Sequence, residues 1–242
     1  MDFHVKMARE IDQAESRGGY DLLFFGDSIS ENWRGTSGDR SNPGARAIHD
    51  VWNKQFGGYN ADVMAIAGDQ IAHLHWRMLN GEMPRAHAPN ASVVLIGTND
   101  LYAAGACGPG SPEESITDAA DATGERLKAL ISLMREQMPG THIILLALLP
   151  RSWVRAGEWP SALTKGNEII NDRMQGLALT DDHVHYLDCG GAYLLPEGKG
   201  LNGELMPLPD PEIVITAGEI KEQEERKWQA ALEMMVAQGS GF

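Results

Sequence analysis

The stretch "LLFFGDSIS", residues 22–30, decides how the fold of this sequence is predicted. Its opening residues are all apolar, and an apolar run without alternation predicts a strand that is buried on both faces. A glycine, an acid and a serine follow the run at once. Because a buried strand that ends in such a turn can display a nucleophile, the question is whether Ser28 reacts.

Apolar runs of strand length recur along the chain, and amphipathic helical stretches separate them. The runs cover residues 20–25, 61–66, 92–97, 142–149 and 183–188. Helical patterns cover residues 43–57, 69–80, 113–138, 161–177 and 216–237. This alternation predicts a three-layer α/β fold, in which a parallel sheet lies between two layers of helices.

The composition is that of a globular protein with one large core. Hydrophobic residues make up 43% of the 242 residues and charged residues 22%, and no Pro/Gly/Ser-rich linker divides the chain. We therefore predict an N-terminal helical extension over residues 1–19 and a single domain over residues 20–238.

Charge and hydropathy exclude several classes of partner. The formal charge is -14, and no cluster of Lys and Arg could follow a phosphate backbone, which argues against nucleic acid. No apolar run approaches the roughly 20 residues of a transmembrane segment, and the polar start lacks the apolar stretch of a signal peptide. Cys107 and Cys189 have no CxxC spacing, which gives little support to a disulfide framework or a zinc site. No cofactor is predicted. The expected location is soluble and intracellular, either cytoplasmic or organellar.

Small and polar residues follow three of the predicted strands. They are Gly26-Asp27-Ser28, Ala67-Gly68-Asp69 and Gly97-Thr98-Asn99-Asp100. The reactive loops of open parallel sheets lie at the carboxyl ends of the strands, so these loops are predicted to converge. A simpler interpretation stays open, in which the glycines serve turn geometry and the polar residues cap helices. A more distant one is that the three acids surround a cation.

Together the three loops contain what acyl transfer requires. Ser28 can attack a carbonyl carbon, and three donors can stabilise the oxyanion that develops. These donors are the backbone N–H groups of Ser28 and Gly68 and the side-chain amide of Asn99.

Three blocks of the sequence resemble a known family. "FFGDSIS", "AIAGDQIAHLHWRMLNGE" and "VVLIGTND" are similar to blocks I, II and III of the SGNH, or GDSL, hydrolase superfamily. The likeness is greatest to the catalytic α subunits of intracellular platelet-activating-factor acetylhydrolase and their plant and algal relatives. It implies a flavodoxin-like, five-stranded parallel sheet in the order 2-1-3-4-5, with a short-acyl or acetyl ester as substrate.

The resemblance also implies roles for single residues. Ser28 corresponds to the nucleophile, and Gly68 and Asn99 correspond to the oxyanion hole. Trp76 and Arg77 correspond to structural positions, to which no chemistry is assigned. The resembling α subunits associate as dimers, which implies a homodimer or a subunit of a larger assembly.

The histidine of the family's last block is missing here. That block reads Asp-x-x-His, whereas this chain has "ELMPLPDPEIVITAG" at residues 204–218. The comparison places Asp210 at the acid position and Ile213, or Val214 if the gap shifts by one residue, at the base position. Neither side chain can accept a proton, so Ser28 lacks its expected activator.

The other histidines are poorly placed to substitute for the missing base. His142, His183 and His185 begin predicted strands and are expected at the amino edge of the sheet, opposite Ser28. His73 and His75, on the helix after Gly68, are the first replacements to consider. The sequence favours a catalytically impaired ester hydrolase, with a non-catalytic structural or binding subunit as the alternative and a metal hydrolase as a more distant one.

Overall fold

The computed structural model describes residues 2–105, 110–151 and 159–195 and confirms the predicted α/β architecture. The main sheet has five parallel strands in the order β2-β1-β3-β4-β5, which is the predicted order 2-1-3-4-5. These strands are β1 (Leu22–Gly26), β2 (Ala61–Ala65), β3 (Ala91–Leu95), β4 (His142–Leu146) and β5 (Val184–Leu187).

Seven α-helices are found in the described part of the chain. They are α1 (Asp2–Glu15), α2 (Ser28–Glu31), α3 (Arg46–Phe56), α4 (Ile71–Arg77), α5 (Thr98–Ala103), α6 (Glu113–Gln137) and α7 (Ala162–Ala178). The predicted helices at 43–57, 69–80, 113–138 and 161–177 correspond to α3, α4, α6 and α7. The predicted helix at 216–237 lies outside the described residues.

Shorter elements complete the described chain. A small antiparallel pair, Thr36–Ser37 with Arg40–Ser41, follows α2, and a π-helical segment, Met78–Glu82, follows α4. Short 3-10 segments cover Asn32–Arg34, Pro43–Ala45 and Gly190–Tyr193. No helix among the residues described here is both long and apolar enough to cross a membrane.

Apolar clusters cover both faces of the sheet, as the continuous apolar runs predict. On one face Trp52 and Phe56 of α3 pack against Phe24 and its neighbours. On the other face a larger cluster combines strand residues with the buried sides of α1, α4, α6 and α7. Met7 and Ile11 of α1 belong to this second cluster, so the N-terminal helical segment packs on the sheet's core.

The register of β1 positions the loops that follow the three neighbouring strands. Gly26, the last residue of β1, is aligned with Ala65 of β2 on one side and with Leu95 of β3 on the other. The three strands therefore end at the same level, and the loops that leave them begin side by side.

Gly26 is required at this level because a side chain has no room there. A Cβ atom on Gly26 would lie 2.5 Å from the carbonyl oxygen of Leu95 and against the hydroxyl of Ser30. Gly26→Ala is expected to reduce the free energy of unfolding by about 1–3 kcal/mol or more, since neither atom can retreat freely. Urea denaturation monitored by circular dichroism measures the change.

Gly140→Ala is the matched control, because a Cβ atom there meets nothing within 4 Å. Equal stability of the two variants would contradict the crowding at Gly26.

Candidate active site

The structure brings the three predicted loops to the same edge of the sheet. Ser28 follows the end of β1, Gly68 follows the end of β2, and Asn99 follows the end of β3. Since β1 lies between the other two strands, Ser28 is on the central loop and has the other two residues on its flanks. This is the arrangement that the three sequence blocks predict.

Ser28 is the first residue of α2, and Asp27 caps that helix. The Asp27 Oδ1 atom accepts a hydrogen bond of 3.0 Å from the backbone N–H of Ile29. This confirms the helix-capping interpretation for Asp27. Ser28 is partly exposed.

Asp27 itself is completely buried, and its second carboxylate oxygen, Oδ2, has no hydrogen-bond partner. Burial raises the pKa of Asp27 to about 7, although the Ile29 N–H and the positive charge of Arg151 act in the opposite direction. The negative charges of Asp69 and Asp100 add to the rise in pKa. Near neutral pH a substantial fraction of this carboxyl group is therefore protonated.

The loop that carries Gly68 is held by a buried carboxylate, that of Glu31. The Glu31 Oε2 atom accepts hydrogen bonds from the backbone N–H groups of Ala67 (2.7 Å) and Gly38 (3.0 Å). Its Oε1 atom accepts from the Thr36 hydroxyl at 2.8 Å. Gly68 follows with a φ of 86°, a left-handed conformation that favours glycine.

The side chain of Asn99 reaches across to the Gly68 loop. Its Nδ2 atom donates a 2.9 Å hydrogen bond to the carbonyl oxygen of Asp69, the residue directly after Gly68. The carboxylate of Asp69 in turn accepts a 2.7 Å hydrogen bond from Arg77 Nε. The two predicted oxyanion donors are thus connected through one residue.

Protein groups pair with two of the three acids that could have surrounded a cation, Asp69 and Asp100. Asp100 accepts from the Ile71 N–H and from Arg126 Nε, each at 3.0 Å, and Asp69 is paired with Arg77. Within the described ranges, no group of three or more His, Cys, Asp or Glu side chains is arranged to hold a metal ion. Asp69 and Asp100 are ion paired, and Asp27 caps α2 through Oδ1, so the described residues form no cluster that favours the cation interpretation.

His73 is close to the site, but its Nδ1 atom already accepts a hydrogen bond and is not free to act as a base. Its Nδ1 atom accepts a hydrogen bond of 3.1 Å from the backbone N–H of Gln70, as part of a capping box at the start of α4. In a neutral imidazole the proton then resides on Nε2, which can donate but not accept. His73 therefore cannot take a proton from Ser28 while it caps α4.

The histidines predicted at the amino edge are found there. His142 is the first residue of β4, and His183 immediately precedes β5. The ring of His142 stacks on that of His183 at 4.9 Å, and its Nδ1 atom lies 2.9 Å from His185 Nε2. These side chains lie at the edge of the sheet opposite Ser28.

The sequence predicts some residues of this region and gives no signal for others. Asp210, Ile213 and Val214, predicted at the acid and base positions, lie outside the described residues. Glu31 and Arg77 support the Gly68 loop. The family resemblance marks Arg77 as a structural position, whereas a lone acidic residue in a helical stretch, such as Glu31, gives no signal of such a role. Arg151 was also missed as a site residue: its Nη1 atom donates to the Thr98 hydroxyl at 3.2 Å, next to Asn99.

A protein-family model matches most of the chain. The model of the GDSL-like lipase/acylhydrolase family matches residues 24–207. The chain belongs to this family. The match begins inside β1 and includes the loops of Ser28, Gly68 and Asn99.

This chain aligns with only part of the length of its curated relatives. The alpha1 subunit of platelet-activating factor acetylhydrolase IB from Bos taurus is 27% identical over 149 residues, which are 62% of this chain and 55% of that protein. The alpha2 subunit from Homo sapiens is 26% identical over 178 residues, which are 74% of this chain and 63% of that protein. The chain thus matches somewhat more than half the length of these relatives.

Solved structures share the fold at low sequence identity. A GDSL-like lipase from Bacteroides thetaiotaomicron superposes with a TM-score of 0.62 at 18% identity, covering 96% of this chain and 97% of its own. An extracellular lipase from Streptomyces rimosus has a TM-score of 0.52 at 18% identity, covering 72% and 82%. These structures therefore share the fold of this chain.

The buried carboxyl group of Asp27 gives a testable dependence of stability on pH. Because its pKa is raised from 3.8 to about 7 on folding, the folded protein holds a proton that the unfolded chain releases. This carboxyl group therefore makes stability fall as pH rises from about 4 to 7. Asp27→Asn keeps an oxygen for the Ile29 N–H and removes the titration.

Thermal melting of the parent and of Asp27→Asn between about pH 5.5 and 8 measures this difference. As the pH rises, the stability of Asp27→Asn should fall less, or rise more, than that of the parent. Asp50→Asn, on the exposed side of α3, serves as the control and should follow the parent. Parallel curves for the parent and Asp27→Asn would contradict the raised pKa.

Proposed function

We propose that the protein is a serine ester hydrolase of the SGNH type with weakened turnover, acting on short-acyl or acetyl esters. The observation that carries the proposal is the register of β1 with β2 and β3, since it aligns the loops of Ser28, Gly68 and Asn99 at one edge. Membership of the GDSL-like lipase/acylhydrolase family supports ester chemistry.

In the proposed reaction the Ser28 hydroxyl oxygen attacks the carbonyl carbon of the ester. The carbonyl oxygen becomes negatively charged and accepts hydrogen bonds from the backbone N–H groups of Ser28 and Gly68 and from Asn99 Nδ2. The Asn99 amide nitrogen carries two protons, and only one is used in its bond to the Asp69 carbonyl. The second proton remains for the oxyanion.

The weak step is removal of the proton from Ser28. Ile213 or Val214 stands where the family's histidine is expected, with Asp210 at the position of its acidic partner. An unassisted hydroxyl is a poor nucleophile, and the loss of a triad member typically lowers the rate by several orders of magnitude. The oxyanion donors and substrate binding alone support an acceleration of roughly a thousandfold over water.

The relatives favour a small acyl group. The names of the two curated relatives describe acetylhydrolases of platelet-activating factor, and the chain matches more than half of each. From these names we take only the acyl group, and we propose an acetyl or other short acyl ester as the substrate of this chain. No cofactor is required for this chemistry.

The alternative is a non-catalytic subunit, in which the fold is kept for binding or assembly. The apolar residues at the base position favour it, and the subunit names of the relatives fit a homodimer or a larger assembly. The retained set of Ser28, Gly68 and Asn99 favours a hydrolase instead, since a purely structural subunit has no need of all three.

Hydrolysis of p-nitrophenyl acetate by the purified protein tests the proposal. We expect slow turnover, well below about 1 s⁻¹, that is abolished by Ser28→Ala. Ser132→Ala, on the exposed side of α6, is the matched control and should leave turnover unchanged. Ile213→His should raise turnover if the imidazole reaches between Asp210 and Ser28.

The same assay separates the alternatives. Turnover of about 1 s⁻¹ or faster that depends on Ser28 would contradict impairment and require a replacement base. No Ser28-dependent turnover, together with no labelling of Ser28 by an organophosphonate, would favour the non-catalytic subunit.

A further inference from the structure

A buried chain of hydrogen-bonded and ion-paired side chains runs from α1 to the loop of the candidate oxyanion hole. His4 Nδ1 lies 2.7 Å from Glu82 Oε1, and Glu82 Oε2 is paired with Arg77 Nη1. Arg77 Nε then donates to Asp69 Oδ2 at 2.7 Å. The four side chains are at most 11% exposed, so water contributes little to their solvation.

Burying such charges is costly unless each has a partner in good geometry. Replacement of a buried ion pair by apolar residues often leaves a protein equally stable, so stability alone is a weak reason to have one. The position of the chain suggests another reason, because it ends on Asp69. This residue follows Gly68 directly, and its carbonyl oxygen accepts the hydrogen bond from Asn99.

We propose that Arg77 is a positioning residue of the oxyanion hole: by fixing Asp69, it holds the Gly68 loop and the Asn99 amide in the geometry that receives the oxyanion. The proposal rests on the proposed function, since it assigns a support to that same site. Arg77 itself does not touch the substrate in this account, and it acts through Asp69.

The geometry of the guanidinium explains why an arginine is needed. Its Nε atom binds Asp69, its Nη1 atom binds Glu82, and its Nη2 atom lies 3.4 Å from the carbonyl oxygen of Met64 in β2. These three contacts point in the fixed directions of a planar fork. A lysine ammonium is a single point of charge and cannot hold the same three partners in this arrangement.

The Gly68 loop is held from its other side as well. Glu31 binds the Ala67 N–H, so the residues before and after Gly68 are each tied to a buried charged side chain. Gly68 itself is exposed between them. Donors that are fixed before the reaction need no reorganisation when the negative charge develops, which is the condition for an effective oxyanion hole.

Arg34 provides a matched control on the same side of the molecule. It is also largely buried, and it also connects α1 to β2, through two 2.9 Å hydrogen bonds to Glu10 and one of 3.2 Å to Asp62. Asp62, however, lies near the amino end of β2, away from Gly68. Loss of Arg34 therefore tests the support of α1 without disturbing the proposed oxyanion loop.

The experiment compares Arg77→Lys with Arg34→Lys in the full chain, by two measurements. The first is the ¹⁵N–¹H chemical shift of the Asn99 side-chain amide, assigned with an Asn99→Asp variant, which does not require activity. The second is the separation of kcat and KM for p-nitrophenyl acetate. Glu82→Gln, which keeps the shape of the side chain, is measured as well in case Arg77→Lys folds poorly.

We expect the Asn99 amide signals to shift in Arg77→Lys. In Glu82→Gln they should shift in the same direction, but by less. It expects kcat to fall by about tenfold or more with KM within about twofold, because the oxyanion forms only in the transition state. In Arg34→Lys both measurements should stay close to the parent.

Unchanged Asn99 signals in Arg77→Lys and Glu82→Gln would overturn the proposal, whatever the activity. Equal effects of Arg77→Lys and Arg34→Lys would also overturn it, since they would indicate only general support of α1. A parent without Ser28-dependent turnover would refute the proposed function separately. The Asn99 signals would then still decide whether Arg77 fixes the loop.

Discussion

The parallel register of β1 between β2 and β3 is the constraint on which the candidate site depends. Gly26 is aligned with both Ala65 and Leu95, so the loops that follow all three strands start from one level. Two polar contacts complete the arrangement. Glu31 holds the Ala67 N–H, and the Asn99 amide binds the Asp69 carbonyl, which joins the second loop to the third.

The sequence predicted the sheet well because its strands are buried on both faces. Such strands leave continuous apolar runs, like Leu22 to Phe25, that are visible without any knowledge of the partners. The short helices α2 and α5 were not predicted. They contain only four and six residues, too few turns for an apolar periodicity to develop.

The supports of the site could not be predicted in the same way. Glu31 contacts Ala67 across 36 positions of the chain. The resemblance predicts that Arg77 is structural, but only the structure shows that its partners are Asp69 and Glu82. A charged residue in a helical stretch is normally solvated, and only the three-dimensional arrangement reveals that it is buried. The three loops were predicted because the ends of parallel strands converge as a matter of topology.

Ester hydrolysis has two requirements that usually occur together: donors for the oxyanion and a base for the serine proton. In the proposed function, the oxyanion donors are supported by a buried ion pair, that of Asp69 and Arg77, whereas the residues that the sequence comparison places at the base position, Ile213 or Val214, are apolar. Such a site can still stabilise a tetrahedral centre on Ser28, because that stabilisation comes from fixed donors and not from the proton acceptor. The central claim is therefore that the Gly68 N–H and the Asn99 amide both donate to an oxygen of the tetrahedral centre on Ser28.

A crystal structure of the protein after reaction with an organophosphonate tests this claim most directly. The account predicts a phosphonyl group bonded to Ser28, with one of its oxygens about 2.7–3.1 Å from the Gly68 nitrogen and from Asn99 Nδ2. A phosphonyl group on Ser28 whose oxygens all lie beyond hydrogen-bond distance of both donors would contradict it.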